Sequence, residues 1–293
     1  MFRRPLRAGV RCLSAAICRF CIASVAVIGL RAYAAGSARV ARRAGLRGVL
    51  GREERLVFVV GCPRSGTTFT GAAIGSVPGF VDLDEVTPLK AALPRLAGLP
   101  VDQAATELHA IIERVRLLGL ARGLRGVEQT PETSFVLAAA LQAYPRATAV
   151  HVLRDGRDVV CSLLERGWFR ADRGGADDAG LAYGAHARFW VEAERRDEFS
   201  RVSEARRAAW AWRRYVAAAR AVPERTVTVR YETIQEQGAR VAQALGCDEG
   251  ALAAAFARAH TESIGRWRTD LTAEQVADVE AEAGGDLRDL GYV

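Results

Sequence analysis

One stretch of this chain constrains its fold more than any other. Leu56-Val57-Phe58-Val59-Val60 is an unbroken apolar run rich in β-branched and aromatic side chains, the pattern of a strand covered on both faces in a parallel sheet. It leads directly into Gly61-Cys62-Pro63-Arg64-Ser65-Gly66-Thr67-Thr68, after which Phe69 to Ser76 reads as a helix. A strand, a glycine-containing loop and a helix in that order build an anion site. The loop and the helix N-terminus aim unpaired N–H groups and a positive dipole end at one point. Phosphate is the natural guest. Set against the nucleotide-binding pattern Gly-x4-Gly-Lys-Ser/Thr, the glycines fall in place and Thr68 takes the last position, but Thr67 stands where the lysine belongs. An ATPase or kinase uses that lysine to reach the β and γ phosphates, so this loop is expected to bind something other than a nucleoside triphosphate. Arg64 can supply a cation from the other side of the loop.

A second segment repeats the logic. Ala147 to Leu153 reads as another buried strand, followed by Arg154-Asp155-Gly156-Arg157-Asp158 and a helix from about Val159 to Arg166. Arg154 closes the strand and Ser162 lies two turns into the helix, so both can face the sheet edge where ligands of open α/β folds bind. A guanidinium and a hydroxyl there could clamp a second phosphate. Taken alone, the same residues also read as a solvated charge cluster at a helix start.

Composition decides what surrounds these loops. Half of the 293 residues are apolar and 26% are charged, which excludes collagen-like, low-complexity and disordered classes. The net charge of +7 sits in the first 55 residues, where twelve Arg face two Glu. The remainder is slightly acidic and lacks the basic footprint of a nucleic-acid binder. Of the six Cys, Cys18 and Cys21 make a single CxxC spacing in the arm with no second pair to complete it, the other Cys stand apart and the four His are scattered. No zinc framework or disulfide scaffold is therefore expected, and the usage suits a reducing compartment. His151, inside an apparent core strand, reads as a satisfied buried histidine. Lys90 is the single lysine, so Arg must fill most cationic roles.

Residues 1–50 form a basic, apolar arm. Its longest apolar stretch, residues 20–30, has eleven residues, short of the ~20 that a membrane-spanning helix needs. Three readings stay open: a cleaved leader ending near Ala32-Tyr33-Ala34, a helix on an anionic membrane surface with Arg4, Arg7 and Arg11 at helical spacing, or a helix packed on the body. The body, 51–293, is expected to be one α/β domain, a P-loop-like parallel sheet with helices on both faces.

Pro63-Arg64-Ser65-Gly66-Thr67-Thr68 followed by Arg154-x7-Ser162 resembles the paired cofactor signatures of sulfotransferases that use 3′-phosphoadenosine-5′-phosphosulfate (PAPS). The resemblance covers roughly residues 55–293. It implies that Arg64, Ser65, Gly66, Thr67 and Thr68 hold the 5′-phosphosulfate and that Arg154 and Ser162 hold the 3′-phosphate, which accounts for the missing lysine. Val229-Arg230-Tyr231-Glu232 resembles a strand-end motif whose Tyr lies near the nucleotide, and Arg166 follows Ser162 as in the tyrosylprotein branch. That branch implies Glu85 as general base. Glu128, in Val127-Glu128-Gln129-Thr130-Pro131, resembles the base of some carbohydrate sulfotransferases, although Gln129 replaces the lysine of their motif. Either carboxylate suits the removal of a proton from an acceptor hydroxyl, and no metal is required. Gly265-Arg266-Trp267-Arg268 resembles part of a cofactor-closing segment and raises Arg266 and Arg268 as further phosphate ligands.

Farther along, about Ala185 to Ala221 reads as helical, with Trp190, Trp210, Trp212 and Tyr215 as a buried stripe. Thr226 to Arg230 reads as a strand, 235–245, 249–259 and 272–283 as helices, and Asp172 to Gly184 as a loop or acceptor lid. The resulting expectation is a PAPS-dependent sulfotransferase whose acceptor is a sugar, lipid or tyrosine hydroxyl, cytoplasmic and peripheral on the membrane's inner face. The competing readings are a P-loop kinase and a non-catalytic, membrane-associated nucleotide-binding protein.

Overall fold

The computed structural model of the protein describes residues 30–170 and 188–293. The first 29 residues of the arm and the stretch read as an acceptor lid, 172–184, lie outside the described residues. Helix α1 covers residues 30–44. Strand β1 (Val57–Val60), α2 (Thr67–Gly75), β2 (Phe80–Asp84), α3 (Thr87–Leu96), α4 (Val101–Leu118), β3 (Arg125–Glu128), α5 (Leu137–Ala143), β4 (Thr148–Leu153) and α6 (Gly156–Arg166) follow. The C-terminal part contains α7 (Arg196–Arg201), α8 (Glu204–Ala219), β5 (Thr226–Arg230), α9 (Gly238–Leu245), α10 (Glu249–Phe256), α11 (Trp267–Asp270) and α12 (Ala273–Asp289).

The five strands form one sheet in the order β2-β3-β1-β4-β5, and every neighbouring pair is parallel. The fold is α/β, as expected. β1 lies at the centre because all four of its side chains are apolar and fully buried. Their alternation serves two layers. Phe58 and Val60 pack with α1, α3, α4 and α5 through Val40, Leu89, Ile112 and Ala140. Val57 and Val59 pack with α2, α9 and α10 through Ile74, Val241 and Phe256. A third cluster joins α6, α8 and α12 through Leu163, Trp212 and Val279. The chain leaves β1 to one side for β2 and β3, then crosses to the other for β4 and β5. The loops after β1 and β4 therefore diverge at a topological switch point, where open α/β sheets bind ligands.

Several details differ from the sequence expectation. The helix expected across 185–221 is broken, because Ser203 leaves helical geometry and its hydroxyl accepts the Arg206 N–H at 3.1 Å, capping α8. Trp190, Trp210, Trp212 and Tyr215 are all core residues of the third cluster. The last helix runs to Asp289, through Gly284-Gly285, because Val279, Ala283 and Leu287 continue a buried stripe at i, i+4, i+8. In the described part of the arm, Val40 and Ala44 are buried in the core, so residues 30–44 are a helix packed on the body. His151 is buried, yet neither ring nitrogen has a hydrogen-bond partner among the described residues, so it is not the satisfied histidine expected.

Candidate functional site

The loop after β1 turns tightly before α2. The Ser65 N–H donates to the Cys62 carbonyl at 3.1 Å, and the Thr70 N–H to the Gly66 carbonyl at 3.0 Å. Gly66 has φ +102°, and a Cβ there would lie 2.5 Å from the Tyr231 ring. Glycine is required both by the left-handed backbone and by the ring that covers it. Arg64 also has positive φ, +72°, a conformation that costs a non-glycine residue about 1–2 kcal/mol. The turn sends its guanidinium across the switch point to α6, where Nε donates to Ser162 Oγ at 3.0 Å. The two loops singled out in the sequence are thus joined by a direct hydrogen bond.

Arg154, at the end of β4, is fixed on several sides. Nη2 donates to the Ser263 carbonyl at 2.8 Å and to its hydroxyl at 2.9 Å, and Nη1 to the Arg64 carbonyl at 3.2 Å. The guanidinium lies 4.6 Å from the Tyr231 ring centroid, and Trp212 Nε1 holds its backbone carbonyl at 3.0 Å. Arg154 Nε is buried without a hydrogen-bond partner, a donor whose desolvation an anion would offset.

These residues line a cleft of about 270 Å³ that contains Arg64, Gly66, Thr67, Thr68, Arg154, Ser162 and Tyr231 together with Glu165, Ser263 and Arg266. Ser65 is not on the cleft wall; it is a buried residue of the loop. Burial, and then the charges of Arg166 and Arg154, pull the Arg64 guanidinium below its ordinary pKa. An anion placed among these cations would relieve both effects. Arg266 enters the cleft flanked by Glu165 and by Asp270, whose Oδ2 accepts from Nε at 2.7 Å. Arg268 instead stacks on Trp267 at 4.7 Å and is not on the wall.

Asp158 secures this last wall. Its carboxylate, almost fully buried, accepts the Gly265 N–H at 2.7 Å and the Trp267 N–H at 3.0 Å. Arg157 adds a face contact on Trp267 at 3.9 Å while bonded to Asp155 at 2.8 Å. Ser263, Glu165 and Asp158 were not among the expected site residues. Glu165 follows Ser162 by one helical turn and was legible from that period. Ser263 is 109 positions from Arg154, and no local pattern links them.

The two candidate bases stand beyond β2 and β3, outside the cleft wall. Glu85 is partly exposed, and Lys90 Nζ donates to its Oε2 at 2.8 Å while lying 3.8 Å from Glu132. Glu128 is fully buried, with Oε1 accepting the Thr130 N–H at 2.8 Å and Oε2 the Thr133 hydroxyl at 3.0 Å. Burial pushes its carboxyl up to about 8 against those hydrogen bonds, and the charge of Glu85 adds to the rise. Both oxygens of Glu128 are therefore committed inside the protein, whereas Glu85 is open to an incoming group. Gln129, in place of the lysine discussed above, donates to Asp84 Oδ1 at 3.0 Å.

Among the described residues, no group of three or more His, Cys, Asp or Glu could hold a metal ion, and no helix is long and apolar enough to cross a membrane.

No protein-family model matches the chain, and no curated protein matches its sequence. In structure it is similar to solved sulfotransferase domains. One, from the olefin synthase of Synechococcus PCC 7002, is 13% identical with a TM-score of 0.45, over 80% of this chain and 96% of that one. Another, from the curacin biosynthetic pathway, is 12% identical with a TM-score of 0.48, over 80% and 99%. A sulfotransferase from Mycobacterium avium is 16% identical with a TM-score of 0.45, over 82% and 77%.

Proposed function

We propose that this protein is a sulfotransferase that moves the sulfuryl group of PAPS to an acceptor hydroxyl. The observation that carries the reading is the Arg64 to Ser162 hydrogen bond of 3.0 Å. It joins a lysine-free phosphate loop to a second cationic clamp in one cleft with Arg154. A nucleoside triphosphate site has no use for a second anion clamp, whereas a nucleotide with phosphates on both the 3′ and 5′ positions needs one.

The residues present fit such a donor. The loop N–H groups, the α2 N-terminus, Thr67 and Thr68 suit the 5′ anion. Arg154, with its unpartnered buried Nε, and Ser162 suit the 3′-phosphate, and Tyr231 offers a ring face beside both. Bound there, the donor would supply a sulfuryl group already attached to a phosphate leaving group. The protein's part is then positioning and charge. Arg64 and the loop N–H groups stabilise negative charge near the first loop, and Thr67 or Thr68 adds a hydroxyl donor. Glu85 accepts the proton of the acceptor hydroxyl, since it is the carboxylate of the two with an oxygen open to an incoming group, and Lys90 orients it.

Calorimetric titration of the full chain with 3′-phosphoadenosine-5′-phosphate and, separately, with ATP and Mg²⁺ tests the reading. Metal-independent binding of the bisphosphate that weakens roughly a hundredfold in Arg154→Ala is expected, from the loss of about 2–3 kcal/mol of charged hydrogen bonding. Binding of ATP with no response to the bisphosphate overturns it in favour of a kinase. Bisphosphate binding without sulfuryl transfer to any sugar, lipid or phenol acceptor favours the non-catalytic alternative.

A further inference from the structure

The described surface has one concentrated apolar region, and it lies far from the cleft. Nine large hydrophobic side chains are exposed among the described residues, and six of them, Leu46, Val49, Leu50, Leu117, Leu118 and Leu120, come from two adjoining segments. The segments are locked together. The Gly123 N–H donates to the Gly48 carbonyl at 3.0 Å and the Glu53 N–H to the Arg122 carbonyl at 2.7 Å. A Cβ on Gly48 would fall 2.1 Å from the Leu120 carbonyl, and one on Gly123 1.9 Å from that of Leu50. The apolar side chains are thus carried on a rigid, glycine-tight junction. Leu46 and Leu50 project furthest, at 89% and 83% exposure. Leu120 is held at φ +52°, so a bulky residue is kept in an unfavourable conformation with its side chain in water.

The charge around this face has one sign to spare. Glu53, Glu54 and Glu113 are each paired to an arginine, through Arg55, Arg52 and Arg116 with Arg122. Arg42 and Arg47 are exposed and have no ion-pair partner among the described residues. An occupant must therefore offer apolar depth and negative charge together. A second copy would bring the same arginines face to face. Residues 1–29 carry five Arg and no acidic residue, so they repel the face as well.

We infer that this face docks on an anionic lipid bilayer, with Leu46, Leu50 and Leu120 entering the acyl boundary and Arg42 and Arg47 meeting headgroups. The exposed leucines suit an interface that yields around them. The face lies at the amino ends of β1 and β3, because Leu50 precedes β1 and Leu120 precedes β3. The cleft lies at the carboxyl ends, so a docked protein turns its cleft away from the bilayer. The inference is independent of the reaction assigned to the cleft.

The test is flotation of the full chain with vesicles of phosphatidylcholine alone and of phosphatidylcholine mixed with phosphatidylglycerol. Binding to the anionic vesicles is expected, and Leu46→Ser combined with Leu50→Ser should weaken it roughly a hundredfold, about tenfold per leucine. Leu120→Gly should weaken binding while holding or raising the melting temperature, which separates the effect from misfolding. A control in which Arg3, Arg4, Arg7 and Arg11 become Gln measures what the arm adds. Absence of flotation, or flotation that survives the leucine variants and disappears in the control, overturns the inference. Self-association that the leucine variants abolish, without vesicle binding, assigns the face to a second copy and also overturns it.

Discussion

Replacing Glu128 by glutamine separates the two candidate bases and tests the electrostatic argument for choosing between them. Glu128 is completely buried, and its carboxyl is pushed from an ordinary 4.5 up to about 8. With a folded pKa above the unfolded one, the native state holds the proton more tightly. The associated stability is fully present below about pH 4.5 and is lost as pH rises through about 8. At about 1.4 kcal/mol per unit, the loss amounts to about 5 kcal/mol in all, of which about 3 kcal/mol falls between pH 5 and pH 8. Glutamine keeps an acceptor for the Thr130 N–H and can donate to the Thr133 hydroxyl, but it does not titrate. Urea denaturation near pH 5 and near pH 8 should therefore show Glu128→Gln gaining about 3 kcal/mol on the wild type across that interval. In turnover, Glu85→Gln should fall by roughly 10²–10⁴, the usual contribution of general-base catalysis, and Glu128→Gln by far less. Stability curves that stay parallel with pH refute the burial argument. Turnover lost in Glu128→Gln and kept in Glu85→Gln moves the base to Glu128.

Three other outcomes follow from the geometry. Asp158→Ala removes charge-assisted bonds to the Gly265 and Trp267 N–H groups, and at about 1.5–3 kcal/mol each it should weaken bisphosphate binding at least tenfold by calorimetry. Gly66→Ala forces an L residue to φ +102° with its Cβ 2.5 Å from Tyr231. It should lower the melting temperature by several degrees, and Tyr231→Ala in the same chain should restore part of the loss. His151, pushed down to about 4 by burial and secondarily by Arg220, is neutral in the fold. Stability is complete above about pH 6.5 and should fall by about 3 kcal/mol as pH drops from there to 4. His151→Leu should flatten that limb in a denaturation series.

The parts of the fold legible in the sequence are those whose causes are local. β1 and β4 announce themselves because their apolar runs are covered on both faces, and β5, at the sheet edge, because its β-branched Thr and Val residues alternate with Val229 buried. β3 does not, because Arg125-Gly126-Val127-Glu128 places a charged residue at each end of a buried strand. The charge of Arg125 is accommodated by the Arg55 carbonyl at 2.9 Å, the Leu245 carbonyl at 2.6 Å and the Phe80 ring at 4.4 Å. Two of these groups lie 70 and 120 positions away, and no window on the sequence contains them. The break between α7 and α8 was within reach, since Ser203 followed by Glu204 is an N-cap signature. The abundance of helix formers around it conceals it.

The candidate site divides along the same line. Its first two walls are each a strand, a loop and a helix in immediate succession, so residue type and spacing describe them almost completely. The third wall, Ser263 to Trp267, reaches the cleft because Asp158 captures two of its N–H groups from across the sheet edge. Read locally, Asp158 is one acidic residue in the first turn of α6, where it would favour the helix dipole. In the fold its carboxylate faces backbone donors and is nearly inaccessible to water. The segment Arg154 to Asp158 therefore has two functions. Its first residue meets Ser263 and lines the cleft, and its last holds the chain that continues from Ser263 into Arg266. A displacement of Arg154 by a bound anion would act directly on Ser263, and through it on the segment that Asp158 anchors. Binding in the cleft and ordering of the third wall should then be coupled. Substitutions at Ser263 and Asp158 should accordingly show non-additive effects on bisphosphate affinity, as residues sharing one network do.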